Sequence, residues 1–155
     1  MPLGAIPDSL SSMVNPTPES INRLTAAAIS AAEKAYAPYS NFRVGAALLF
    51  DDGTIASGCN VENISYGLTI CAERAALCRA VVENGAYRQI VAIVVTNLND
   101  AASPPCGACR QVLSEFVAPD AMVYFPDGLG IISVPFKQLF PHTFHDWKND
   151  DNARG

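Results

Sequence analysis

The chain has 155 residues, half of them apolar, and a formal net charge of −5 from 15 acidic against 10 basic side chains. That suffices for one domain with a sizeable core, and the scattered basic residues offer no face for a polynucleotide backbone. No run reaches the roughly 18 to 20 apolar residues that a membrane helix needs, and Met1 to Pro18 lacks the basic start and apolar centre of a secretory signal, so the expected location is the cytoplasm.

Residues 1–16 carry Pro2, Gly4, Pro7, Pro16 and several serines with little periodicity, and read as a flexible N-terminal extension. Thr17-Pro18 then has the form of an N-cap followed by proline at the first helical position, and Ile21, Leu24, Ala28 and Ala32 recur at helical spacing until Pro38 forbids continuation. Arg43 to Phe50 is apolar on both alternating faces, as in a strand covered on both sides. Asp51-Asp52-Gly53 turns it into a second strand, Thr54 to Cys59, so strands one and two form an antiparallel hairpin. A loop, Asn60 to Leu68, follows.

Thr69 is the expected N-cap of a second helix from about Ile70 to Glu83, which ends near Asn84-Gly85. Ile90 to Thr96 is a continuous β-branched run and reads as a central strand. After a loop, a third helix is expected from about Pro105 to Pro119, and Met122 to Phe125 gives the next strand. Strand, helix, strand, helix, strand requires parallel crossovers, which makes the fold class α/β. Only Pro126 to Gly130 separate Phe125 from Ile131, too few residues for another crossover helix, so the fifth strand should run antiparallel to the fourth. A short helix is expected between Pro135 and Phe144, ending at Pro141, and residues 145–155 form a polar tail, which leaves residues 17–144 as one domain.

Five cysteines, two of them in a C-x-x-C, point in a reducing compartment to metal or redox chemistry rather than to a disulfide framework. Cys71 lies at the start of one crossover helix, and Cys106 and Cys109 at the start of the next. Consecutive crossover helices begin at the same edge of a parallel sheet, outside the carboxyl ends of the strands, where α/β folds place ligand sites. Helix N-termini also favour thiolates, the form that binds zinc. Three thiols leave a fourth tetrahedral position for water, as in catalytic rather than structural zinc, and Glu73 stands beside them as a proton carrier. Arg74 is a candidate donor to thiolate sulfur that would offset the negative charge of the ligands. Taken alone, Cys106 and Cys109 could equally be a redox pair or half of a structural zinc knuckle. Cys59 and Cys78 are expected to pack as small apolar groups, and His142 and His145 to lie on the surface.

With these residues placed, the chain resembles the short, homotetrameric cytidine deaminase family. Cys71-Ala72-Glu73 and Pro105-Cys106-Gly107-Ala108-Cys109 match its zinc signature. Tyr39 to Ala47, Gly58 to Asn63 and Ser65 to Thr69 extend the match, which covers roughly residues 19 to 144. The resemblance implies a three-layer α/β/α fold on a mixed five-stranded sheet, and one zinc per chain held by Cys71, Cys106 and Cys109. It further implies hydrolytic deamination of cytidine and 2'-deoxycytidine, a step of pyrimidine salvage, with Glu73 carrying the proton. In that family the residues matching Asn60 and Glu62 bond the ribose, Phe42 lines the pocket, and Ala72 offers backbone groups to the base. Neighbouring subunits contribute the Tyr66 loop and a C-terminal aromatic, for which Phe144 is the candidate. Ile64 departs from the family's usual alanine, a change expected to bear on subunit contacts or the pocket rim. Asn60 and Glu62 could otherwise be turn residues, and Phe42, Tyr66 and Phe144 packing aromatics. A deaminase of a nucleoside antibiotic shares the zinc motif but not the Asn60 to Asn63 stretch.

Overall fold

The computed structural model describes residues 14–86 and 88–145. Most of the expected N-terminal extension, and the tail beyond His145, lie outside them. In chain order the elements are α1 (Pro18–Ala32), β1 (Val44–Phe50), β2 (Ile55–Cys59), a 3-10 turn (Tyr66–Leu68), α2 (Ala72–Asn84), β3 (Ile90–Asn97), α3 (Gly107–Ser114), β4 (Val117–Pro126), β5 (Ile131–Pro135) and α4 (Phe136–Leu139). The five strands form one mixed sheet in the order β2-β1-β3-β4-β5. β1 runs antiparallel to both β2 and β3, β3 is parallel to β4, and β5 is antiparallel to β4. β2 and β3 therefore point the same way with β1 between them, and α2 crosses over β1 to connect them.

Side-chain alternation assigns the layers. Ala47 and Leu49 of β1 with Ala92 and Val94 of β3 pack against Leu24 and Ala28 of α1. The opposite set, Ala46, Leu48, Ile93 and Val95, packs against Ala76 and Leu77 of α2, Leu113 of α3 and Phe136 of α4. Two glycines let the helices close on the sheet. A Cβ on Gly45 would stand 1.9 Å from the carbonyl oxygen of Ala28, and one on Gly58 would stand 2.4 Å from the backbone nitrogen of Ala76.

Thr17 caps α1 as expected, exchanging hydrogen bonds with Ser20 at the N-terminus of the helix. α1 nevertheless stops at Ala32, well before Pro38. α3 ends at Ser114 rather than near Pro119, because Pro119 falls inside β4. There the parallel pairing jumps from Ile90↔Val117 to Ala92↔Met122, and the residues between bulge outward with Pro119 and Asp120 exposed. A bulge is one of the few places where a strand accepts proline. At the opposite end of the chain, the Val14 N–H donates to the carbonyl of Asp51 at 3.2 Å, fixing residue 14 to the β1–β2 turn.

Candidate active site

Both crossover helices begin on a cysteine. Cys71 is the N-cap of α2 and Cys106 the N-cap of α3, each in extended backbone conformation and neither making a side-chain capping bond. Thr69, the expected cap, instead closes the preceding 3-10 turn, its N–H donating to the carbonyl of Tyr66. The shift of two residues frees each thiol to point past the open helix end. With Cys106 at the N-cap, Cys109 is the third residue of α3, and these two positions face each other across the first turn. The three sulfurs lie within 4.8 Å of one another, and Cys71 Sγ is 3.8 Å from Cys106 Sγ. Two sulfurs each about 2.3 Å from a tetrahedral zinc would stand about 3.8 Å apart, so the donor set fits that ion.

The surroundings favour the thiolate at Cys71. A hydrogen bond from Cys109, then one from Arg74, hold the Cys71 thiol down to about 5 against the desolvation that opposes them. The same bond with Cys71, with burial, pushes Cys109 up, as expected where one proton is shared among neighbouring sulfurs. Arg74 Nη2 reaches Cys71 Sγ at 3.5 Å and the Thr69 carbonyl at 3.4 Å, so the expected donor to sulfur is in place. Its buried Nε has no partner. Arg110, beside Cys109, is used differently: it donates to the carbonyls of Pro105 and Leu139, both at 2.7 Å. Glu73 is 4 % exposed, and burial, then the neighbouring Cys71 charge, push its carboxyl up to about 7.

A cavity of about 200 Å³ opens onto this cluster, lined by Phe42, Asn60, Cys71, Ala72, Glu73 and Cys106 among others. Asn60 is buried, and its amide is already engaged: Oδ1 accepts from the Val44 N–H and Nδ2 donates to the Phe42 carbonyl, both at 2.8 Å. One amide hydrogen and one lone pair remain for a ligand. Glu62 and Tyr66 line a neighbouring cavity of about 220 Å³, with Thr69 forming part of both walls. Glu62 accepts from the Tyr39 and Ser40 N–H groups and from the Ser40 hydroxyl. These bonds, Ser40's hydroxyl first, hold its carboxyl below the usual range. Tyr66 is 75 % exposed and stands edge-on to Tyr39, with ring centroids 6.1 Å apart. Phe144 is 85 % exposed and lines neither cavity of its own chain; its backbone is held by the Gln111 amide.

The family model described as the cytidine and deoxycytidylate deaminase zinc-binding region matches residues 18–125. The chain belongs to this family. Among curated members, a cytidine deaminase of Halalkalibacterium halodurans is 49% identical over 118 residues, covering 76% of this chain and 88% of that one. One from Mycobacterium tuberculosis is 47% identical over 105 residues, covering 68% and 77%. The crystal structure of cytidine deaminase from Burkholderia pseudomallei superposes with a TM-score of 0.71 at 45% identity, covering 79% of this chain and 98% of that one. As a cytidine deaminase family member with one three-sulfur cluster among its described residues, the chain is an enzyme whose cofactor is zinc, one ion per chain.

Several wall residues escape a sequence reading of this family member. Val44 and Val95 reach the cavity from strand ends, and Ser103 and Pro104 from the loop ahead of Cys106. Apolar strand residues give no local sign of which end opens on a site; Ser103 and Pro104 lie just ahead of the Cys106–Cys109 pair, which was a usable signal. Cys78 is exposed and Cys59 half-buried, so Cys78 is not the packed apolar group expected of it.

Proposed function

We propose that this family member catalyses the hydrolytic deamination of cytidine and 2'-deoxycytidine to uridine and 2'-deoxyuridine, with release of ammonia, through residues 17–144. The observation that carries this reading is the convergence of Cys71, Cys106 and Cys109 beside the buried carboxyl of Glu73, at a cavity walled by Phe42 and Asn60. Zinc held by the three thiolates supplies the Lewis acidity that makes a water nucleophilic near neutral pH.

The chain's own groups do the rest. Glu73 takes one proton from the water that adds to C4 of the cytosine base and delivers it to N3; it then takes the second from the C4 hydroxyl and delivers it to the amine, so that the C4–N bond breaks, the C4 carbonyl forms and ammonia leaves. Arg74 offsets the excess negative charge of three thiolates on one dication. Phe42 flanks the base, the backbone of Ala72 hydrogen-bonds its edge, and the unused half of the Asn60 amide meets the ribose with Glu62. Loss of cytidine's ultraviolet absorbance on mixing with zinc-loaded protein is the expected result, and its absence overturns the reading.

The functional unit in this proposal is a homotetramer in the cytoplasm. Val61, Ile64, Tyr66, Leu68 and Ile70 are exposed on the segment leading into α2, and an apolar stretch of that kind supports a subunit contact. The exposure of Tyr66 and Phe144 supports their action in a neighbouring subunit's site. Among the described residues no helix is long and apolar enough to cross a membrane.

A further inference from the structure

Two asparagines outside the cavity tie its opposite walls together. Asn97 ends β3, is 9 % exposed, and has every hydrogen-bonding position of its amide filled by the loop that follows. Nδ2 donates to the Ala101 carbonyl at 2.7 Å and to Ser103 Oγ at 2.8 Å. Oδ1 accepts from the Asn99 N–H at 2.9 Å and the Ala101 N–H at 3.2 Å. Those two N–H groups flank Asp100, which holds φ +51°. Asp accepts left-handed backbone more readily than most residues with a Cβ, and one shared acceptor fastens it there. The loop so fixed carries Ser103 and Pro104 to the cavity wall and Cys106 to the sulfur cluster.

Asn99 faces the other wall. Its Oδ1 accepts from the Arg43 N–H and its Nδ2 donates to the Asn41 carbonyl, both at 3.2 Å, while the Leu98 N–H donates to the Arg43 carbonyl at 3.0 Å. Phe42 lies between those anchored residues, and its own carbonyl is held by Asn60. Its backbone is thus gripped from two directions, and Asn41 before it, at φ +55°, is a second left-handed residue secured by a side-chain bond.

We propose that Asn97 and Asn99 are positioning residues of the deaminase, with separate duties: Asn97 sets the Cys106 arm for the metal, and Asn99 sets Phe42 for the nucleoside. The assignment rests on the cytidine deaminase reading above. Neither side chain lines up with the reacting atoms; each acts through a residue that does.

Three variants test it, with a fourth in reserve. Asn97→Ala should weaken zinc binding roughly tenfold, read by chelator competition without substrate. Asn99→Ala should leave zinc affinity unchanged and raise KM for cytidine roughly five- to tenfold with kcat little altered. Asn99→Asp, which keeps the acceptor for Arg43 and loses the donor to Asn41, should fall between wild type and Asn99→Ala. If Asn97→Ala does not fold, Ser103→Ala removes one of the same bonds and should still weaken zinc severalfold. Lowered melting temperatures with unmoved zinc affinity and KM would reduce both asparagines to ordinary loop residues and overturn the proposal. Wild-type protein without cytidine turnover would instead sink the deaminase reading, which the zinc titrations do not depend on.

Discussion

Burial separates Glu73 from every other carboxylate among the described residues: it is the one that is buried. A carboxyl in that position is available to hold a proton in transit, so Glu73→Gln, of nearly equal size, should lower kcat by roughly 10²- to 10⁴-fold while metal analysis still finds one zinc per chain. Asp52 shows the opposite environment. Partial desolvation pushes its pKa up, but hydrogen bonds from Thr54 and the Arg88 guanidinium at 2.6 Å outweigh that and hold it below its usual 3.8. A carboxyl whose folded value is depressed stabilises the fold above its unfolded pKa and gives that up as pH falls through the folded one. Asp52→Asn should therefore cost a few tenths to about 1 kcal/mol near pH 7. In denaturant melts that difference should shrink once pH drops below about 4. Single residues were the most legible part of the sequence at the metal cluster, where residue type alone declares the chemistry. They were least legible at Asn97 and Asn99, since an Asn-rich stretch after a strand signals a turn without saying what the turn holds.

At the level of elements, the position of α2 is decided by what β2 lacks. A methyl group on Gly58 would meet the backbone of Ala76 at 2.4 Å and of Ala72 at 2.8 Å, and α2 is the helix whose first turn carries Cys71 and Glu73. Gly58→Ala should cost about 1–3 kcal/mol in stability and, by pushing the helix start away from α3, weaken zinc binding as well. A normal zinc affinity in that variant would mean that the helix recoils without moving its N-terminus. The β1–β2 hairpin was readable because Asp51-Asp52-Gly53 is a local turn signal, with Gly53 at φ +85°. The end of α3 was not, because the bulge that admits Pro119 to β4 depends on pairing with β3, far away in sequence. The starts of α2 and α3 were each misplaced by about two residues for a chemical reason: Cys71 and Cys106 take the cap positions where oxygen side chains are usual, and their thiols turn to one another instead.

For the whole molecule, the alternation of strands and helices announced α/β architecture, and the short link from Pro126 to Gly130 announced an antiparallel last strand. That β1 lies between β2 and β3 follows from long-range pairing, which no local pattern encodes. The proposed sharing of active sites between subunits would add a second long-range dependence. If Phe144 serves a neighbouring subunit, Glu73→Gln and Phe144→Ala proteins, each impaired alone, should regain part of the activity after subunit exchange. Such a mixed assembly contains sites with an intact carboxyl from one chain and an intact aromatic from another. Additive residual rates would contradict site sharing, and sedimentation of the active species as a monomer would contradict the tetramer.

The two cap cysteines also tie metal binding to the folded state. Cys71 and Cys106 stand 35 residues apart in the chain, yet their sulfurs lie 3.8 Å apart at the starts of two helices packed on one face of the sheet. The site is therefore assembled by the tertiary fold, and zinc binds the native chain in preference to the unfolded one. Because it selects the finished fold, free zinc at about a thousand times its dissociation constant adds roughly 4 kcal/mol to stability. A newly made chain in a zinc-poor cell should linger without that reinforcement and be cleared by proteolysis sooner than its sequence alone would suggest.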